Sequence, residues 1–423
     1  MKKILLSMTI LAGLQATAQN KCLSHDHHEQ MVQFDPNTAI RKQQMEDFTN
    51  QWIQNHSGNA KSRAAIYTIP VVVHVVYNTA GQNVSDAQIL TQIDVLNKDF
   101  QLMNSDSLQP SHPFWQYTAN SQIEFCLASR DPQGNFTTGI TRTQTQVVSF
   151  NGNGDVKFSS TGGADNWDPT QYLNLWVCDL GASGGTLGYA TFPSDLQSYP
   201  AEDGVVIHYE CFGTIGTAGQ GNYQYNHLGR TATHEVGHWL NLSHIWGDNQ
   251  PNCGDDFVAD TEPCDEPNSG YPSFPLDPNN PCGTGPNGEM YMNYMDYVDD
   301  DAMVMFTFGQ SQRMHAALNG PRNAITSSNG CGAPLGIEES LFAQSFELYP
   351  NPNKGQFTIQ FPMENSIGAE IKVYNLVGAE VKTISVSKMK TVQADLSNLE
   401  DGVYYLKMNS SKAGIAKKIV INR

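Results

Sequence analysis

Three histidines and a glutamate lie close together near the middle of the chain, at His234, Glu235, His238 and His244. Residues four apart share one face of a helix, so His234 and His238 can direct their imidazoles at one ion with Glu235 beside them. Three protein ligands leave the fourth position of a zinc ion to water, which is typical of a catalytic zinc site. Glu235 is then suited to take a proton from that water, and the pattern predicts a zinc hydrolase.

The third histidine requires a sharp turn after Leu240, because His244 lies beyond the helix that carries the first pair. Asn241 stands where this turn is needed, and asparagine is the non-glycine residue that best tolerates left-handed backbone. The alternatives are a buried helix with chance histidines and a closed structural zinc site. The four-residue pattern seldom arises by chance, and a glutamate next to the first ligand does not suit a structural zinc site.

Acidic residues dominate the chain of 423 residues, which carries a formal net charge of -18. This charge argues against a nucleic-acid partner, and the length indicates two or three folded units. Thirteen Asp and Glu but no Lys or Arg lie between Asp248 and Asp301. Such a stretch would attract calcium or basic substrate side chains, unless it is a solvated loop.

Residues 1–18 are typical of a signal peptide, with two lysines, an apolar run and small residues before the cleavage point. The apolar run is too short to span a bilayer, and no later segment is apolar enough for a transmembrane helix. We therefore expect Sec-dependent export to the periplasm and a secreted, extracellular or cell-surface location. Export permits disulfides among the eight cysteines, and we expect Cys253 to pair with Cys282.

The elements that must position the histidines follow a polar pro-region, residues 19–63. Ile69–Tyr77 is nearly all β-branched and predicts a central strand, and Ser85 predicts the N-cap of a helix. Further strands are expected at Ile123–Ser129, Leu173–Leu180, Gly188–Phe192 and Val205–Phe212. Together they predict a mixed sheet with two long helices, the second of which carries His234 and His238.

Residues 247–290 are dense in Gly, Pro, Asn and Asp, which predicts a long loop. A loop of this length needs disulfide or ionic support. We therefore expect Ca²⁺ in addition to Zn²⁺, with oxygen ligands from Asp255, Asp256, Asp260 and Thr261.

The stretch HEVGHWLNLSH, with the later NYMDY, resembles the metzincin clan of zinc endopeptidases and, within it, the pappalysin family on the ulilysin and cytophagalysin side. The resemblance covers about residues 64–330 of a catalytic domain placed at 64–335. It implies an α+β fold with a mixed twisted sheet, an active-site helix and an irregular, loop-rich C-terminal half. The general metzincin pattern has glycine where this chain has Asn241.

The resemblance also implies roles for two downstream residues. Met295 matches the methionine turn that packs beneath the zinc, a role compatible with an ordinary core methionine. Tyr297 matches the tyrosine that helps to hold the tetrahedral intermediate by a hydrogen bond to the oxyanion. A structural tyrosine is the alternative for Tyr297.

Substrate recognition follows from the same resemblance. The family's upper edge strand, where an extended substrate adds as another strand, resembles a segment made of Leu187, Gly188 and Tyr189. Asp300 falls where ulilysin-like enzymes place an acid in the pocket for the residue after the scissile bond, which implies cleavage before Arg or Lys. Asp299 and Asp301 flank it, so the assignment to one of the three stays open.

Such a preference makes the bond Ser62-Arg63 suitable for autolytic activation. Cys22, the one cysteine of the pro-region, is then expected to hold the precursor latent as a thiolate in the fourth zinc position. The alternative is a disulfide between Cys22 and one of the seven other cysteines.

After a linker at residues 336–344, residues 345–423 alternate between apolar and polar side chains and predict a small all-β sandwich. The strands are expected at Phe357–Phe361, Ala369–Tyr374, Val381–Val386, Val403–Met408 and Lys417–Ile421. This region resembles the sorting domains read by the type IX secretion system of the Bacteroidetes group. An adhesion-like sandwich is the alternative.

The sequence thus predicts a secreted zinc endopeptidase, made as a latent precursor, that acts on proteins or peptides. Two rivals remain: a degenerate zinc-scaffold protein that binds or adheres at the cell surface, and a zinc hydrolase of non-peptide amides or esters. The intact Glu235 argues against the first.

Overall fold

The computed structural model describes residues 21–56, 66–181, 185–248, 252–332, 347–360, 369–376, 378–386, 391–409 and 414–423. The chain divides into two compact units, residues 1–133 with 139–333 and residues 134–138 with 334–423. The predicted signal peptide, the bond Ser62-Arg63 and the linker at 336–344 lie outside the described residues.

The larger unit is built on one six-stranded sheet. Its strands are β1 (Tyr67–Tyr77), β2 (Ile123–Leu127), β3 (Ile140–Gln144), β4 (Leu173–Cys178), β5 (Gly188–Ala190) and β6 (Val205–His208). The order is β2-β1-β4-β6-β5, and β3 pairs with the second half of β1. All pairs are parallel except β5 with β6, so the mixed sheet is confirmed and β5 lies at its edge.

The run of valines explains why β1 is central. Val71, Val72, Val73 and Val75 are fully buried, because layers cover both faces of a parallel sheet. The predicted strands are present, β1 with longer bounds than predicted and the others with shorter ones, whereas β3 was not predicted from its polar sequence.

In the described part of the chain five α-helices accompany the sheet: α1 (Ser24–Phe34), α2 (Asn37–His56), α3 (Asp86–Phe100), α4 (Arg230–Trp239) and α5 (Phe308–Asn319). Ser85 caps α3 as predicted, since its hydroxyl accepts from the backbone N–H of Gln88 at 3.2 Å. All ten residues of α4 are buried, and the helix contacts β5 and β6. This packing fixes the predicted histidine helix beneath the edge strand. The sequence did not predict α1 or α5.

Residues 21–56, here called the N-terminal arm, belong to the larger unit and pack against the rest of it. Cys22 belongs to its hydrophobic core, and Met31 and Met45 are also buried. In α2 the carboxylate of Glu46 forms a buried ion pair with Arg313 at 2.7 Å. The arm can therefore pack with few apolar side chains, because polar contacts such as this ion pair also hold it in place.

The chain between α4 and α5 forms no helix or strand over the described residues 240–248 and 252–307. Cys253 and Cys282 form the expected disulfide within this stretch. A second disulfide, which was not predicted, joins Cys126 near the end of β2 to Cys331. Covalent support of the loop-rich half is thus present.

The smaller unit is all β, as expected. One sheet has the order β10-β9-β12-β13 and the other β11-β8-β7, with all pairs antiparallel. The strands are β7 (Glu347–Tyr349), β8 (Gln356–Gln360), β9 (Ala369–Tyr374), β10 (Glu380–Val386), β11 (Thr391–Asp395), β12 (Gly402–Asn409) and β13 (Gly414–Ile421). Apolar residues of both sheets, such as Phe357 and Leu406, share one core. Across the whole described chain, no helix is long and apolar enough to cross a membrane.

Candidate metal centre

The three histidines meet at one point beneath the edge strand. The Nε2 atom of His238 lies 3.1 Å from those of His234 and His244, and the other pair is 3.3 Å apart. Helix α4 supplies the first two rings, and Asn241 turns the chain towards the third with φ at 74°, the left-handed conformation that the sequence predicts. The helix and the turn together bring the imidazoles to metal-site spacing.

Each imidazole uses its other nitrogen for a hydrogen bond. Nδ1 of His234 donates to the carbonyl of Tyr294 at 2.7 Å, and Nδ1 of His238 donates to the carbonyl of Leu242 at 2.8 Å. These bonds leave the Nε2 lone pairs facing one another, which is unfavourable unless a cation lies between them. Burial lowers the pKa of His234 to about 3, so this ring stays neutral and able to ligate. The donor set fits zinc.

The third histidine has an acidic partner. Nδ1 of His244 lies 2.5 Å from Oδ1 of Asp248, and the imidazole stacks on Trp246 with 4.3 Å between ring centroids. The carboxylate orients the ring and increases its basicity as a ligand. Sequence analysis missed Asp248, although an acid four residues after a ligand histidine is a signal that could have been used.

The N-terminal arm brings a fourth donor to the same point. The Sγ of Cys22 and one nitrogen from each histidine lie within 4.8 Å of one another. Burial and the charge of Glu235 raise the pKa of this thiol well above its usual value. In the described residues Cys22 forms no disulfide, so the alternative pairing is not seen.

Glu235 faces the arm as well. Its Oε2 accepts a hydrogen bond from Ser24 at 2.8 Å and lies 3.4 Å from the Sγ of Cys22. Burial raises the pKa of this carboxyl to about 8. The arm therefore covers the predicted general base, and nothing in the sequence around Ser24 signals this contact.

The edge strand that was predicted to bind substrate is occupied by the arm. Leu187 donates to the carbonyl of Lys21 at 2.7 Å, and Leu23 donates to the carbonyl of Gly188 at 3.1 Å. A Cβ at Gly188 would lie 2.9 Å from Cγ of Glu235, so only glycine allows this close approach. The side chain of Tyr189 is buried on the other face of β5, with Trp176.

Met295 and Tyr297 lie directly around the centre. A Cβ at Gly237 of α4 would come within 2.5 Å of Sδ of Met295, so the methionine packs tightly beneath the helix. The hydroxyl of Tyr297 donates to the backbone carbonyl of Cys22 at 3.2 Å, and its ring lies 4.9 Å from that of His244. Tyr297 thus points at the segment that covers the metal ligands.

The three acids after the methionine turn differ in environment. Asp300 is fully buried, its Oδ2 accepts from the N–H of Leu228 at 2.7 Å, and its Oδ1 has no hydrogen-bond partner in the described structure. Asp299 lies 3.8 Å from the ammonium of Lys21. Asp301 is exposed and lies 4.0 Å from His227.

The acids expected to bind calcium do not converge in the way the histidines do. Oδ1 of Asp255 accepts from the N–H of Phe257, whereas Oδ2 of Asp256 accepts from Thr261 at 2.8 Å. Oδ2 of Asp260 accepts from the N–H of Gly309, and its buried Oδ1 has no hydrogen-bond partner among the described residues. Among the described residues, the group that could hold a metal ion is formed by Cys22 and the three histidines.

Two family models match the chain. Residues 157–319 match the model described as pregnancy-associated plasma protein-A, a peptidase family, and residues 347–422 match a secretion system C-terminal sorting domain. The chain is 30% identical to an extracellular metalloprotease of Pyricularia oryzae, over 61% of this chain and 77% of the other. It is also 30% identical to an extracellular metalloprotease of Colletotrichum graminicola, over 74% of this chain and 95% of the other.

Solved structures of one further enzyme are similar. Promirolysin of Tannerella forsythia is 44% identical over 72% of this chain and 97% of its own, with a TM-score of 0.64. Mature mirolysin of the same organism, in complex with a cleaved peptide, is 48% identical over 64% and 100%, with a TM-score of 0.60.

Proposed function

The chain belongs to the pregnancy-associated plasma protein-A family of metallopeptidases, and from this premise we propose which of its residues carry out proteolysis. It is a secreted zinc endopeptidase made as a precursor. His234, His238 and His244 hold the zinc, and Glu235 is the general base. The observation that carries this proposal is the convergence of three imidazole lone pairs beside a buried carboxylate.

Zinc bound by these nitrogens would act as a Lewis acid that activates water and polarises the scissile carbonyl. Glu235 takes the proton of the attacking water on its carboxylate and passes it to the leaving amine nitrogen. Tyr297 donates a hydrogen bond to the oxygen that gains negative charge. Its present bond to the Cys22 carbonyl supports this role, because a peptide carbonyl already occupies the acceptor position.

The arm is proposed to be the latency device, within a pro-region of residues 19–63. Cys22 supplies a thiolate as the fourth zinc ligand, and Ser24 engages the carboxylate of Glu235. Removal of the arm by cleavage at Ser62-Arg63 would free both the ligand position and the base. The mature chain then begins at Arg63, and its catalytic domain is proposed to span residues 64–335.

The proposed preference for Arg or Lys after the scissile bond rests on Asp300. Its buried Oδ1 lacks a hydrogen-bond partner in the described structure, although Arg230 donates to the Asp300 carbonyl at 2.7 Å, and a basic side chain would supply the missing donor. The arm offers a precedent, because Lys21 beside Cys22 extends its ammonium to the carbonyl of Tyr297 at 2.7 Å and towards Asp299.

Two partners complete the proposal. Calcium would be bound by Asp255, Asp256, Asp260 and Thr261, and its support comes from the buried carboxylate of Asp256 and from Oδ1 of Asp260, which lacks a hydrogen-bond partner in the described structure. The type IX secretion machinery would read residues 345–423, which the match to the sorting-domain model supports.

A peptide library digested with the mature enzyme, with and without a chelator, tests the proposed function. Mass spectrometry should find amide bonds cut before Arg, fewer before Lys, and none in the chelated sample. Chelator-insensitive cleavage would contradict the zinc mechanism, whereas cuts clustered before apolar residues would contradict the assignment of Asp300.

A further inference from the structure

A second acidic group lies beyond the far end of β5. The side chain of Asp195 is 1% exposed, and its Oδ1 lies 2.9 Å from Nδ1 of His28, which is also 1% exposed. The arm thus fills a closed space next to this carboxylate with an imidazole.

Residues outside the arm hold Asp195 in place. Its Oδ2 accepts from the N–H of Phe192 at 3.1 Å, and its carbonyl accepts from the N–H of Tyr199 at 2.9 Å. Oδ1 has only a long contact of 3.4 Å with Ser194 besides the bond to His28. When the arm leaves, the carboxylate keeps its position, and Oδ1 is ready to accept another donor.

Phe192 connects this carboxylate to the metal centre. The centroid of its ring lies 5.6 Å from that of His28 on one side and 5.4 Å from that of the zinc ligand His238 on the other. The ammonium of Lys42, also in the arm, lies 5.7 Å from the same ring. The arm therefore places a histidine and a lysine around an aromatic face, and such a face attracts cations.

The position of each arm residue along the edge strand β5 indicates which part of a bound substrate would lie there. Lys21 lies at the Leu187 end, near Asp299 and the proposed pocket for the residue after the scissile bond. His28 and Asp195 lie at the opposite end, past Ala190, with Cys22 at the metal between them. Asp195 therefore faces the part of a substrate that precedes the scissile bond.

We propose that Asp195 and Phe192 form a second specificity site, which binds a Lys or Arg side chain located before the scissile bond. Preferred substrates then carry basic residues on both sides of the cut. The cation pairs with Oδ1 of Asp195 and packs on the ring of Phe192. This inference rests on the proposed peptidase function and extends its substrate class.

Glu202 provides a matched comparison. It also faces a histidine of the arm, since its Oε2 lies 3.4 Å from Nε2 of His27. That histidine stacks on Tyr189, whose ring lies on the face of β5 away from α4, and the buried Lys157 donates to the carbonyl of Glu202. Glu202 thus lies beside Lys157, whose charge also reaches Asp195, but Glu202 does not face the metal.

The test uses the mature enzyme and peptides with Arg fixed after the scissile bond. Arg is compared with citrulline, its neutral isostere, at each of the four preceding positions. We expect kcat/KM to be about tenfold higher for Arg at one of these positions. Asp195→Asn should remove this ratio, Phe192→Leu should reduce it about threefold, and Glu202→Gln should preserve it.

Ratios near one at all four positions in the wild-type enzyme would overturn the proposal, as would an unchanged ratio in Asp195→Asn. The wild-type comparison decides the matter even if a variant fails to fold. If the peptide library showed no preference for Arg after the cut while the ratio before the cut was preserved, this site would be supported and the separate assignment of Asp300 contradicted.

Discussion

The centre formed by His234, His238 and His244 and the acidic stretch from Asp248 to Asp301 are both rich in residues that can bind metals. Their side chains are organised in different ways. In the centre, the three ligand rings converge, and each has a fixed partner for its Nδ1 atom. In the acidic stretch, carboxylates bind nearby backbone N–H groups, and buried oxygens of Asp260 and Asp300 lack hydrogen-bond partners in the described structure. The spacing on α4 and the turn at Asn241 bring the histidines together, whereas in the acidic stretch the unpaired oxygens mark where we propose that a cation or a basic side chain binds.

The largest effect is expected from His238→Ala. Loss of one of three converging ligands should abolish stoichiometric zinc binding and lower kcat/KM by roughly 10³-fold or more. Metal analysis and peptide hydrolysis check this result. His315→Ala is the control, since that histidine bonds to the carbonyl of Ser121 away from the cluster and its variant should retain zinc. Equal zinc content in the two variants would contradict the proposal that His238, unlike His315, holds the zinc.

Cys22→Ala should convert a latent precursor into an active one. With no thiol in the fourth ligand position, precursor activity should rise by about 10²-fold, as measured with a small peptide before the arm is lost. Cys264→Ala is the matched control, because that thiol is also buried and free of a disulfide but lies outside the cluster. A Cys22→Ala precursor that stayed fully latent would count against the switch.

Asp300→Asn should weaken the selectivity for Arg over citrulline after the scissile bond by about tenfold to a hundredfold, because the buried carboxylate is lost. Asp301→Asn, in which an exposed neighbour changes, should leave it unaltered. Steady-state kinetics with the paired peptides measures both. If Asp301→Asn gave the larger loss, the basic pocket would have to be reassigned.

Calcium should give the smallest effect, a rise in melting temperature of about 5 °C that depends on pH. Burial raises the pKa of Asp256 from its ordinary value of 3.8 to about 7, so without calcium its contribution to folding is full below the ordinary value and is lost as pH rises to about 7. Calcium needs the ionised form, and stabilisation should be larger at pH 8 than at pH 6. Scanning fluorimetry at both values checks it, and equal shifts would argue against Asp256 as a ligand.

The sequence predicted the features that depend on short-range periodicity. The spacing of His234 and His238 on α4, the turn at Asn241 and the buried strand β1 all follow from local rules. Apart from the positions of Cys22 and Met295 at the metal centre, it did not predict contacts between distant segments. His28 and Asp195 are 167 residues apart, and Glu46 and Arg313 are 267 apart, so only the folded chain brings them together.

The acids after Met295 illustrate the same limit. Three consecutive aspartates look equivalent in sequence, but the fold buries Asp300 completely and leaves Asp301 exposed. The helix α5 escaped prediction because its apolar face is short, although Thr307 and Gln310 form a capping box at its start. The fold class and the convergence of the histidines were therefore predictable, whereas the different environments of the three aspartates were not.

The most direct test of the account is a paired measurement on Glu235→Ala, after the arm has been removed with a trace of wild-type enzyme. Because Glu235 is proposed as the base and not as a ligand, the variant should keep one zinc per chain while its kcat falls by roughly 10³-fold. Wild-type turnover in Glu235→Ala, with the zinc still bound, would contradict the central claim.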